Sequence, residues 1–356
     1  MRTRLAALIV CVTLTLTAAH ARQVQLALVT ATPFESYLES LRLQTGIPAI
    51  SAALLQDGQI VWERGFGFAN QESRIRATPD TPYPVADLSQ SIAAVLLLQC
   101  SDQRRVEIGD EARRYRITLP EQTATIKQIL SHASAGSPGE AFHYDAERYG
   151  MLSSAVEVCI SQPYRKTVAV NILERLAMKD SVPGRDLSNP SPLNERLFAS
   201  EILERYKRIL ERVAVPYKVD KRGRLTRTDV TLDGITAATG LVSTVRDLAR
   251  FDEALDSSLL LEEETRTLAW TNVTTSQQTA LPTGLGWFVQ SYRGEPVVWQ
   301  FGLIPNAYSS MIIKLPSRKL TLILLANSDG LSAPFQLDAG DITRSLFATL
   351  FLRLYS

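Results

Sequence analysis

The spacing of apolar and polar positions divides the chain into three stretches: a helix with strands, then mostly helices, then mostly strands. Phe34, Tyr37, Leu38 and Leu41 recur at helical spacing and predict an amphipathic helix over 34–44, ended by Gly46-Ile47-Pro48. Two apolar-rich runs, Ala49–Gln56 and Gln59–Phe68, flank Asp57-Gly58, a pair suited to a two-residue hairpin turn. After a polar loop over Asn70–Asp80, a short extended run, Thr81–Ala86, meets a strongly apolar helix over Ser89–Gln99.

Beyond a charged stretch at Glu107–Gln122, helical patterns recur at Ala124–Leu130, Tyr149–Ser161 and Lys166–Leu176. Pro190-Ser191-Pro192 opens a longer helix through about Arg212. Tyr217–Asp229 reads as an exposed hairpin around Lys221-Arg222-Gly223-Arg224. That basic turn has no interleaved aromatic residues for stacking bases, so it reads as a solvated turn. In Ser243-Thr244-Val245-Arg246-Asp247, Ser/Thr followed by Asp marks a helix start, and the helix runs to about Leu255. Strands follow at Gly284–Tyr292, Val297–Phe301, Ser309–Leu315 and Leu320–Ala326, and an amphipathic helix over Ile342–Leu354 comes last. Strands at the two ends, roughly 200 residues apart, most simply pair in one antiparallel sheet beside a helical lobe. The cleft between the two is where a small-molecule site belongs.

Composition narrows the function classes. The 356 residues are 45% hydrophobic and 21% charged, with a net charge of +1, which offers no electrostatic handle for nucleic acid or an anionic membrane. Met1–Ala21 has the layout of a secretory signal: Arg2 and Arg4, an apolar Leu5–Leu16, then Ala19-His20-Ala21 as a small-x-small cleavage site. Cleavage after Ala21 leaves a secreted or periplasmic protein without a membrane span, because no second apolar run is long enough to cross a bilayer. Cys100 and Cys159 then remain, both on apolar helical patterns, where a disulfide and two buried thiols are equally natural. No cysteine–histidine cluster has zinc spacing, so no metal is expected, and no cofactor either.

Six segments, in order, resemble the serine β-lactamase and penicillin-binding-protein superfamily, in its class C and esterase-like branch. They are Gly46-Ile47-Pro48-Ala49-Ile50-Ser51; Arg64-Gly65-Phe66-Gly67-Phe68-Ala69-Asn70; Ile129-Leu130-Ser131-His132-Ala133-Ser134; Tyr144 with Tyr149-Gly150-Met151-Leu152; Thr239-Gly240-Leu241-Val242-Ser243-Thr244-Val245-Arg246-Asp247-Leu248-Ala249-Arg250-Phe251; and Leu324–Asp329. The resemblance spans about Phe34 to Leu354. It implies an α/β (α+β), β-lactamase/transpeptidase-like fold, with one domain over 22–356. A sheet lobe over about 30–85 and 236–356 would flank a helical lobe over about 86–235.

The chemistry of that superfamily needs a Ser-x-x-Lys pair at a helix start, a Tyr-x-Asn element, and a Lys/His-x-Gly on an edge strand that helps form an oxyanion site. The positions equivalent to these are Asp87 and Gln90, Tyr144 and Ala146, and Gln300 and Gly302. Only Tyr144 and Gly302 keep the family residue, and no Ser-x-x-Lys occurs anywhere in the chain. Asp87 and Gln90 before an apolar helix instead read as a capping box, which contributes about 1 kcal/mol. His132 and His143 are the histidines beyond the leader. His132 reads as helix-end packing and His143 as cleft lining. A triad of Ser134, His143 and Asp145 has no support in its spacing.

These departures imply a pseudo-enzyme that keeps a ligand-binding cleft for a peptide, a cell-wall fragment or a protein. An active esterase or peptidase with a non-standard nucleophile and an envelope protein that binds a partner are the alternatives.

Overall fold

The computed structural model describes residues 33–189, 191–230 and 234–356. The leader-like Met1–Ala21 and Pro190 lie outside the described residues. Helix α1 covers 33–45, and strands β1 (Ala49–Gln56) and β2 (Gln59–Asn70) form the expected hairpin. Asp57 and Gly58 both take positive φ, 52° and 77°, so the turn twists with the strands it joins. Strand β3 (Ile75–Arg76) pairs with β2, and β4 (Tyr83–Pro84) precedes a single 3-10 turn, Ala86–Leu88. That turn runs directly into helix α2 (Ser89–Asp102).

The middle of the chain contributes α3 (Ile126–Leu130), α4 (Ala146–Gly150), α5 (Leu152–Ile160) and α6 (Tyr164–Val168), which continues as a π turn over Ala169–Glu174. Strand β5 (Val182–Pro183), helices α7 (Pro192–Leu197) and α8 (Ser200–Leu210) and the hairpin β6 (Tyr217–Val219) and β7 (Leu225–Arg227) follow. The helix expected through Arg212 is therefore two. Phe198 and Ala199 are extended between them, and the Phe198 side chain turns into a small core with Tyr206 and Ile209. Burying that ring outweighs helix continuity. Strand β8 (Leu241–Ser243) leads into α9 (Val245–Asp256), where Thr244 accepts the Asp247 N–H as the sequence predicts. Then come α10 (Glu263–Ala269), β9 (Phe288–Tyr292), β10 (Glu295–Ile304), β11 (Tyr308–Leu315), β12 (Leu320–Ala326) and α11 (Leu346–Tyr355). The strand expected from Gly284 begins only at Phe288, because Gly286 lies against Ala94 at φ 82°.

Seven strands make one sheet in the order β3-β2-β1-β12-β11-β10-β9, with every neighbouring pair antiparallel. The two ends of the chain meet where Ile50 pairs with Ala326. Both faces of its centre are covered. Ala53, Leu55, Ile312, Ile323 and Leu325 join Ile92–Leu98 of α2 and Leu248 and Phe251 of α9. The alternate residues, Ile50, Leu54, Ile313, Leu322 and Leu324, meet Phe34 of α1 and Phe347 and Phe351 of α11. Burial on both faces explains why these strands read as nearly continuous apolar runs.

Helix α2 is buried almost all round, as a helix without a polar face must be. It is joined to α5 by a disulfide between Cys100 and Cys159, 59 residues apart, which resolves the choice the sequence left open. A small sheet, β4-β8-β5, fixes the approach to α2: Tyr83 pairs with Ser243, and Val182 with Val242.

Candidate active site

The start of α2, the turn after α3, the segment before α4 and strand β10 converge on one place. Ala86 is the pivot. Its φ of 53° is unusual for a residue with a side chain and turns the chain from β4 into α2. Gly302 makes the approach of β10 feasible. A Cβ there would lie 2.2 Å from the Val85 carbonyl oxygen and 2.3 Å from Ser310 Oγ. Ser310 Oγ donates to the Val85 carbonyl at 2.7 Å, tying β11 to the same turn.

Asp87 does not cap α2. The residue before the helix is Leu88, which already has helical dihedrals and makes no side-chain cap. The 3-10 turn feeds the helix directly, so there is no extended residue from which a side chain folds back onto the first turn. The Asp87 carboxyl reaches β10 instead, where Oδ2 accepts the Leu303 N–H at 3.1 Å. Burial pushes its pKa up to about 7, against the pull of the Leu303 and Asp87 backbone N–H groups. Among the described residues, none forms an ion pair with it.

Gln90 is fully buried and likewise does not reach back to close a cap. Its Oε1 accepts from His132 Nε2 at 3.0 Å and from Gln300 Nε2 at 3.4 Å, and its Nε2 donates to the Tyr144 hydroxyl at 3.1 Å. The Asp145 N–H donates to His132 Nδ1 at 3.1 Å, so the ring proton sits on Nε2. Burial lowers the His132 pKa to about 3, which keeps the ring neutral. Gln300 Nε2 also donates to the Gly286 carbonyl at 3.3 Å, and its Oε1 accepts the Phe301 N–H at 3.0 Å. Each amide orientation is thus set by its partners.

Tyr144 stacks on His132, with ring centroids 4.4 Å apart, and leans on Phe301 at 5.3 Å. Burial, with Asp87 second, raises its pKa well above the usual phenol value. It stays protonated at neutral pH. Because its oxygen accepts from Gln90, its own proton is left to donate outward. Ala146 opens α4 behind the Asp145 cap and supplies no amide. His143 is exposed.

Five of the six positions assigned from the sequence thus meet: Asp87, Gln90, Tyr144, Gln300 and Gly302. His132 belongs with them and was read only as packing. The signal available was its place at the end of a short helix whose Leu-Ser-His run ends the helical pattern. Its φ of 52°, which turns the ring inward, is not written in the sequence. The Leu303 amide was also missed, since backbone groups carry no residue signature. Among the described residues, no group of three or more His, Cys, Asp or Glu is placed to hold a metal ion.

Comparison with known proteins bears on the family and the fold. A family profile described as Beta-lactamase matches residues 34–345. Penicillin-binding protein 4* of Bacillus subtilis (strain 168) is 22% identical over 311 residues, 77% of this chain and 67% of that protein. Protein flp of Staphylococcus aureus (strain N315) is 21% identical over 174 residues, 38% of this chain, and the match spans only 35% of that protein's length. An octameric penicillin-binding protein homologue from Pyrococcus abyssi shares the fold at a TM-score of 0.72 and 21% identity, over 91% of this chain and 77% of that one.

Proposed function

This chain belongs to the Beta-lactamase family, within the serine β-lactamase and penicillin-binding-protein superfamily, and from that footing we propose that it is a secreted pseudo-enzyme: acyl transfer is dismantled and the cleft is kept for binding. One observation carries the reading. The carboxyl of Asp87, at the position of the family nucleophile, lies on the Leu303 N–H two residues after Gln300-Phe301. An acyl-transfer enzyme holds such a strand amide free for the developing oxyanion. Here the protein's own side chain fills it.

The remaining positions support the same conclusion. Gln90 cannot take a proton from a nucleophile, and its amide is spent on His132, Gln300 and Tyr144. Tyr144 remains a phenol and so is a donor rather than a base. Losing the nucleophile alone typically costs about 10⁶ in rate. The Cys100–Cys159 disulfide supports export, since such bridges persist in oxidising compartments. The ligand is a peptide, a cell-wall fragment or a protein, and an ionised Asp87 disfavours a ligand carboxylate beside it.

The test is covalent labelling. Purified protein incubated with a fluorescent penicillin, and separately with a serine-reactive phosphonate, should carry no label. It should also leave a chromogenic cephalosporin and small nitrophenyl esters unchanged. Label or turnover that survives Asp87→Ala would show an active hydrolase with another nucleophile and would end this reading.

A further inference from the structure

We infer that Lys314 and Asp252 are a site of covalent modification: the lysine Nζ condenses with the aspartate carboxyl to form an amide that joins β11 to α9, with release of one water. The inference is independent of the reading of the cleft.

The reacting groups are already in contact. Lys314 Nζ lies 2.5 Å from Asp252 Oδ1 and 3.1 Å from an oxygen of Asp256. Nζ is therefore no more than about 3.7 Å from the Asp252 carboxyl carbon, since a C–O bond adds about 1.2 Å. Bonds form from separations of about 3–3.5 Å, and groups held in that way reach effective concentrations of about 10⁵ M or more. Asp252 and Asp256 stand one turn apart on α9, so both face the same lysine. The Lys314 and Asp252 side chains are each 1% exposed, and that of Asp256 is 28% exposed.

The balance of charge readies the carboxyl. Two acids share one ammonium, so one carboxyl is in excess. Asp252 is the one that keeps a proton. Burial pushes its pKa up, and its Oδ2 is buried without a hydrogen-bond partner. Condensation expels one oxygen of that carboxyl and so removes the orphan. Asp256 carries the protons. Its carboxylate takes one from the Lys314 ammonium, and the free amine pair adds to the Asp252 carboxyl carbon. Asp256 then passes that proton to the hydroxyl, the C–O bond breaks as water leaves, and a second proton moves from nitrogen to Asp256. An amide N–H and a protonated Asp256 remain, and Asp256 releases its proton to solvent. The water has a way out. Lys314, Asp256 and Thr321 line a cavity of about 310 Å³ that reaches the surface at Glu253 and Lys319.

The test is peptide mapping of the purified chain after denaturation and reduction. Trypsin should release residues 251–266 joined to residues 294–318, lighter than the two together by one water and uncut after Lys314. Fragment ions should place the bond between Lys314 and Asp252. Lys314→Arg keeps the charge but lacks the amine, so its two peptides should come apart. Asp256→Asn removes the proton acceptor and should lower the joined fraction at least about tenfold. Separate peptides from the parent overturn the inference, and so does a bond at Asp256. A joined fraction in Asp256→Asn equal to the parent's overturns the role given to Asp256. The parent measurement decides the bond without requiring any variant to fold.

Discussion

The carboxyl of Asp87 accepts the backbone N–H of Leu303 at 3.1 Å, across 216 residues of chain. This contact ties the turn before α2 to strand β10 and fixes the direction of a carboxyl at the start of that helix. It leaves Asp87 a titrating group half-buried in the fold.

The first prediction concerns pH. Folding raises the Asp87 pKa from the ordinary 3.8 to about 7. The folded state therefore binds more protons than the unfolded chain between those values. The stability that Asp87 contributes is full below about pH 4 and is lost as pH rises through 7. Asp87→Asn removes the titration. Its melting temperature relative to the parent should rise by a few degrees between pH 5 and pH 8, measured by calorimetry. A difference independent of pH would show that Asp87 is not desolvated as described.

Gln90 is the hub of the buried network. Gln90→Leu leaves the His132 Nε2–H without an acceptor and removes the donor to Tyr144, and should cost about 2–4 kcal/mol in urea unfolding. Replacing His132 by Phe in the same chain removes the stranded donor, so the double variant should be more stable than the sum of the two single changes predicts. Strict additivity would mean that the two side chains are not coupled.

Restoring the family chemistry tests ancestry and trade-off together. Asp87→Ser with Gln90→Lys frees the Leu303 N–H and supplies a base, while Ala146→Asn and Gln300→His return the other two groups. The quadruple variant should become labelled by a fluorescent penicillin where the parent is not. It should also be less stable by about 2 kcal/mol or more, because a lysine replaces a buried amide hydrogen-bonded to His132, Gln300 and Tyr144. A folded quadruple variant that stays unlabelled would show that the cleft has changed shape as well as chemistry.

The bridge between α2 and α5 closes a loop of 59 residues. Replacing Cys100 and Cys159 by Ser should cost about 3–5 kcal/mol, and adding a reductant should lower the parent's melting temperature without affecting the double variant. Equal sensitivity of both proteins to the reductant would rule out the bridge as its target.

The order of elements and the family were legible in the pattern of residues along the chain. The hairpin at Asp57-Gly58 was legible because turn chemistry is local, and α2 was legible because a helix apolar on every side has only the interior to go to. The Thr244 cap was legible for the same local reason. Motif order alone nominated Asp87, Gln90, Tyr144, Gln300 and Gly302 as candidates, and the fold brings them together. Which partners those side chains take was set by the packing of distant elements. A local reading made Asp87 and Gln90 a cap, because Asp-x-x-Gln before a helix carries that meaning wherever the preceding residue is extended. Here Ala86 turns at positive φ, the 3-10 turn removes the cap geometry, and Gly302 lets β10 come close enough to offer its own N–H. The partners of Asp87, Gln90 and Cys100 lie 216, 42 and 59 residues away. A polar group takes whatever partner the packed fold presents once water is excluded, and that choice is made by the approach of distant elements rather than by the residues beside it.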